Sequence, residues 1–224
     1  GDGMALFKLR DGAELYYEVH GSGPTLFLVA GLGGDGRWWG DNVSELAKNF
    51  TVVVHDHRGT ARSSLSRIDY SVGQMADDAL QLIEGLGYEK VHWCGHSTGG
   101  AMGQILAIEH PARIDRLVLS ATWAKTDAFF RRLFEVRSLM LRELGPAAYL
   151  KSSALALNSP AWVRDHDAAL VAAEAKALET IPVPEIVLSR IAAIVAHDRR
   201  EQLQKVTART LALCARDDTV TPLY

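Results

Sequence analysis

An apolar run, Val91-His92-Trp93-Cys94, leads directly into Gly95-His96-Ser97-Thr98-Gly99, and a helix-like stretch follows at once. A strand that turns straight into a helix through small residues leaves few folds open. It fits a Gly-x-Ser-x-Gly turn that lifts its central hydroxyl clear of a sheet edge. A side chain at either flanking glycine would collide with neighbouring backbone, so the residue types suit that geometry. Ser97 is therefore the candidate nucleophile. The Thr98 backbone N–H opens the next helix, where free amides and the helix dipole favour developing negative charge.

The rest of the chain alternates in the same way. Asp11-Gly12, between residues 6–10 and 14–20, predicts an opening β-hairpin. Residues 25–30 and 51–55 are continuous apolar runs, as expected of parallel strands covered on both faces. Residues 72–86 carry Met75, Ala79, Leu82, Ile83 and Leu86 at helical spacing, with Ser71 and Gln74 placed as a capping pair. A helix over 98–110 and a strand over 116–120 follow. Strands separated by helices describe βαβ units, hence an α/β fold with a mostly parallel, doubly covered sheet.

The pattern changes after Ala121. Residues 126–207 contain helical segments and no credible strand, and residues 210–215 return as a strand. The chain thus reads as a core part (1–121), a helical cap inserted after the sixth strand (122–207), and a return strand with its loop (208–224). Phe129, Phe130, Leu133, Phe134, Val136, Leu139 and Met140 read as one apolar helix face of that cap. Trp123, Phe130 and Trp162 are the aromatic candidates for a substrate pocket. Arg58, like Arg131 and Arg132, is a candidate to meet a carboxylate.

At 224 residues and 48% apolar content, the chain supports one substantial core. The net charge of −3, with dispersed basic residues, gives no nucleic-acid footprint. No apolar stretch reaches about 18 residues and no basic-then-apolar leader is present, so neither a membrane span nor a signal peptide is expected. Cys94 and Cys214 read as two buried free thiols in a reducing compartment, and the expected location is cytoplasmic.

Two further loops complete a candidate site. Gly31-Leu32-Gly33-Gly34 follows an apolar strand, and its small residues let the Leu32 amide approach a substrate oxygen. The same loop extends to Gly36 as G-x-G-x-x-G, with Asp56 about 20 residues further on, which is a dinucleotide-binding pattern. That reading leaves residues 95–99 unexplained, and Trp38 and Trp39 crowd the place of a pyrophosphate. Asp218, in the loop after the last strand, is the candidate acid that would orient a histidine. Of the eight histidines, His96 adjoins Ser97 and should point away from it, and His55 and His57 lack the further ligands of a metal site. No cofactor or metal is expected, and no histidine follows Asp218 to complete the order Ser, acid, His.

Taken together, these segments resemble the α/β-hydrolase superfamily across essentially the whole chain. Val29-Ala30-Gly31-Leu32-Gly33-Gly34 is similar to its oxyanion loop, with Ala30 where many relatives have His. His55-Asp56-His57-Arg58-Gly59 is similar to its Asp-x-Arg-Gly turn, and residues 215–222 to its acid loop. Gly31 to Gly36 with the Trp pair, Arg58-Gly59-Thr60 and Gln74-Met75-Ala76 look like the 3-oxoadipate enol-lactonases and, still more, the aminoacrylate hydrolases of pyrimidine breakdown. The resemblance implies a serine hydrolase of a small ester, lactone or amide/carbamate-type substrate, working through an acyl-enzyme and commonly as a homodimer. From charge and hydropathy, no nucleic-acid or membrane partner is expected. Family members continue past the acid to a catalytic histidine, so the chain reads as a C-terminally truncated hydrolase, inactive as it stands. The alternatives are a non-enzymatic binding or scaffold protein of this fold, or a lyase or haloperoxidase relative.

Overall fold

In the computed structural model, which describes residues 3–224, seven strands form one sheet in the order β1-β2-β4-β3-β5-β6-β7. β1 (Gly3–Lys8) and β2 (Glu14–His20) make the expected antiparallel hairpin, and β2 pairs antiparallel with β4 (Thr51–His55). From there β3 (Thr25–Val29), β5 (Val91–His96), β6 (Ile114–Ser120) and β7 (Arg209–Leu213) run parallel to β4. The loops that follow the parallel strands therefore gather on one edge, where open α/β sheets bind ligands.

The central strands are apolar throughout because both faces are covered. Phe27, Val29, Val53 and Trp93 face α2 (Val72–Gly85) and α3 (Thr98–Glu109). Leu26, Leu28, Val52 and Val54 face the other side, against Trp39 and the short α1 (Asn42–Leu46). Ser71 caps α2, its hydroxyl accepting the Gln74 N–H at 2.9 Å.

Between β6 and β7 the chain is helical: α4 (Ala128–Leu139), α5 (Pro146–Leu157), α6 (Pro160–Asp165), α7 (Asp167–Thr180) and α8 (Pro184–Ala196). The buried face of α4 is narrower than its sequence suggests. Phe130, Phe134 and Arg137 are buried, with Leu141 following in phase, whereas Phe129, Val136 and Leu139 are exposed. Cys94 is half-buried, but Cys214 is exposed, because β7 is an edge strand with little packed on either face. Among the described residues no helix is long and apolar enough to cross a membrane.

Candidate active site

Ser97 sits between β5 and α3 with φ 52° and ψ −113°, a conformation side-chain-bearing residues rarely adopt. Its surroundings enforce it. The Ser97 N–H donates to the Ser120 carbonyl at 2.8 Å, and Thr122 Oγ1 donates to the Ser97 carbonyl at 2.7 Å. A Cβ at Gly95 would strike the Gly99 backbone, and one at Gly99 would strike the Val29 carbonyl, so the turn closes only with glycine at both positions. Trp93, stacked on Phe27, donates from Nε1 to the Gly99 carbonyl at 2.9 Å and fixes the turn from below. Gly100 and Ala101 return their N–H groups to the Ser97 carbonyl. Thr98, the first residue of α3, has no carbonyl one turn back to bond.

A cavity of about 500 Å³ opens over this turn. Ser97, His96, the loop from Gly31 to Gly34, Asp217 and Asp218 line its floor, and residues of α4, α5 and α7 line its roof. Gly31 lies so close that a Cβ there would come within 3.2 Å of the Ser97 Cβ. Asp218 is held by its own loop: one carboxylate oxygen accepts the Val220 and Thr221 N–H groups at 2.9 and 2.8 Å, and the other accepts the Thr221 hydroxyl. Ser97, Leu32 and Asp218 thus share one cavity; Thr98, the next residue after Ser97, is fully buried and does not line it. A second hollow of about 600 Å³, between Glu18, Arg37 and α1, shares no lining residue with it.

Three side chains shape the Gly31 loop from behind. His57 Nε2 donates to the Ala30 carbonyl at 2.8 Å, Asp56 accepts the Gly36 N–H at 3.0 Å, and Arg190 Nη1 donates to the Leu32 carbonyl at 2.8 Å. This settles the dinucleotide-like spacing: Asp56 is fully buried and also takes Arg62, so its carboxylate braces the loop instead of facing a ribose. Burial drives the His57 pKa well below its ordinary value, with His55 adding repulsion, so His57 is a neutral donor beneath the loop. Among the described residues no group of histidine, cysteine and carboxylate side chains is placed to hold a metal ion.

Other predicted pocket residues lie elsewhere. Arg58 is buried in ion pairs with Asp78 of α2 at 2.8 Å and Asp11 of the hairpin turn at 2.5 Å, and does not reach the cavity. Trp123 and Phe130 pack on each other with ring centroids 4.8 Å apart, behind the cavity wall. Trp162 is exposed on α6 and stacks on His166. The cavity instead contains an arginine that the sequence reading passed over, Arg137, at the phase of Phe130 and Phe134 on the buried stripe of α4.

His96 is the one histidine among the described lining residues. Its ring stacks on Trp38 at 4.4 Å and its Nδ1 hydrogen-bonds with Ser120 Oγ at 3.0 Å. Burial lowers its pKa, an effect that Asp218 partly offsets.

A match to the α/β hydrolase fold family covers residues 24–224. The chain belongs to that family. It is 37% identical over 212 residues to the Azorhizobium caulinodans protein named "Putative carbamate hydrolase RutD", across 95% of this chain and 80% of that protein. Among solved structures, a hydrolase from Pseudomonas aeruginosa PA01 superposes with a TM-score of 0.85 at 27% identity, covering 99% of this chain and 83% of that one. The enol-lactonase from Burkholderia xenovorans LB400 gives a TM-score of 0.82 at 25% identity, over 93% and 80% of the two chains. Hydrolase activity is the function that this membership and these relatives support.

Proposed function

We propose that the protein is a serine hydrolase of a small ester, lactone or amide/carbamate-type substrate, acting through an acyl-enzyme. The observation that carries this reading is Ser97 itself, held at φ 52° on a strand-to-helix turn and opening into one cavity with the Gly31 loop and Asp218. Ser97 Oγ attacks the substrate carbonyl, its proton passes to a histidine base, and the collapsing intermediate expels the leaving group with that proton. Water then enters by the same route and releases the acid. The Leu32 and Thr98 amides receive the oxyanion, each such donor being worth about 3 kcal/mol. Asp218 orients the base and stabilises its charged form. The carbamate hydrolase and enol-lactonase names of two relatives agree with this substrate class.

The base is the remaining part. His96 is turned onto Trp38 and Ser120, and His55 and His57 are buried behind the loop. The reading therefore assigns the base to a histidine outside these 224 residues and leaves this chain inactive by itself. A fluorophosphonate tests both parts. A form that carries the base is expected to gain the probe's mass on Ser97, and its Ser97→Ala variant is not. The 224-residue chain is expected to label weakly and to turn over negligible p-nitrophenyl acetate. An unlabelled Ser97 in the longer form would sink the mechanism; turnover by the present chain equal to it would place the base among the histidines described.

A further inference from the structure

Arg137 is 6% exposed, yet no carboxylate pairs with it among the described residues. Both its hydrogen bonds leave from Nη2, to Ser153 Oγ at 2.9 Å and to Tyr149 Oη at 3.5 Å. Its Nε has no partner at all. Ser153 is itself anchored, donating to the Tyr149 carbonyl at 2.7 Å, so it holds one end of the guanidinium in place. The Phe134 and Tyr149 rings lie 4.9 and 5.4 Å from the guanidinium carbon, adding cation–π attraction without supplying an acceptor. A buried cation with uncommitted donors is costly unless an anion completes it. Arg137 faces the same cavity as Ser97.

We propose that Arg137 binds a carboxylate of the substrate, so the hydrolysed compound is a small acyl monoanion. This inference rests on the serine-hydrolase reading for the reacting bond, but the anion site stands on the guanidinium alone. A cavity of about 500 Å³ suits a small ligand, so one molecule can present an acyl carbon to Ser97 and a carboxylate to Arg137. A guanidinium edge matches the two oxygens of a carboxylate. A phosphate dianion fits poorly: Arg137 is the one lysine or arginine among the described lining residues, and Glu174, Asp217 and Asp218 line the same space.

The test is calorimetric binding of monomethyl succinate, which keeps one carboxylate, against uncharged dimethyl succinate. The wild-type chain is expected to bind the monoanion at least about tenfold more tightly. Arg137→Met should lose that preference while still binding the diester, and Arg137→Lys should keep part of it, because charge survives without the planar fork. Circular dichroism checks that the variants fold, and the wild-type comparison needs no variant. Equal affinity for the two esters, no binding of the monoester in the millimolar range, or an undiminished preference in folded Arg137→Met would each overturn the proposal. Fluorophosphonate labelling of the longer form separates the two ideas. A carboxylate preference with an unlabelled Ser97 leaves the anion site and removes the serine mechanism; a labelled Ser97 without the preference does the reverse.

Discussion

Arg190 of α8 donates from Nη1 to the carbonyl of Leu32, 2.8 Å away across the boundary between the helical segment and the sheet. The arginine is 3% exposed, its Nε and other terminal nitrogen have no partner, and burial lowers its pKa to about 10. A buried cation is thus spent on a single carbonyl, in a loop that lines one cavity with Ser97. Arg190→Met keeps the bulk and removes the tether. In a form that carries the base, kcat on a small neutral ester should fall about ten- to a hundredfold with KM little changed, the pattern of a displaced loop. The melting temperature should hold, since an apolar side chain replaces an unpaired charge. An unaltered kcat would show that the loop keeps its shape without the tether.

The glycines offer an internal control on the same edge. Gly99→Ala drives a methyl group into the Val29 carbonyl, so β3 and the start of α3 must part. A loss of about 1–3 kcal/mol in urea unfolding is expected. Gly33→Ala sits in the exposed part of the Gly31 loop with nothing within 4 Å, and should stay within about 0.5 kcal/mol of wild type. Equal losses for the two would mean that the turn does not depend on the close approach.

What the sequence disclosed was mostly local. The hairpin, the capped helix α2 and the Ser97 turn each depend on residues a few positions apart, and each is present. Ion-pair partners and helix phase were hidden. Nothing near Arg58 in sequence announces Asp78 or Asp11, which lie 20 and 47 positions away. The spacing of Asp56 from Gly36 suggested a ribose ligand because a brace and a ligand can share one spacing; only the contact to the Gly36 N–H separates them. Arg137 was findable, since it continues the Phe130 and Phe134 stripe. The charged residue in that apolar stripe reaches the cavity, whereas the aromatic candidates Trp123, Phe130 and Trp162 do not line it.

Arg58 should therefore behave as a structural residue. It joins the hairpin turn to α2 through Asp11 and Asp78, and burial raises the Asp78 pKa while Arg58 opposes the rise. Arg58→Met strands the Asp78 carboxylate and should cost roughly 3–5 kcal/mol, read from the urea midpoint. Adding Asp78→Leu should recover part of the loss, because no buried charge is then left alone. Substrate affinity in the folded fraction should be unchanged; a raised KM without a stability loss would return Arg58 to the pocket.

Acid should unfold the protein through its buried histidines. Burial takes the pKa of His55 and of His197 down to about 4, and that of His57 well below its ordinary value. Each folded pKa lies below the unfolded value of about 6.5, so between about pH 6.5 and 4 the unfolded chain binds protons that the folded chain refuses. Unfolding free energy then falls as pH falls through that window, by about 3 kcal/mol for the fully buried His55 alone. Urea midpoints followed by tryptophan fluorescence from pH 7 to 4.5 should decline steadily. His55→Phe should decline less steeply than wild type, because one of the refused protons has been removed from the balance. A wild-type midpoint that is flat from pH 7 to 5 would mean that these rings are solvated or paired, and that His57 is not held neutral against the Ala30 carbonyl.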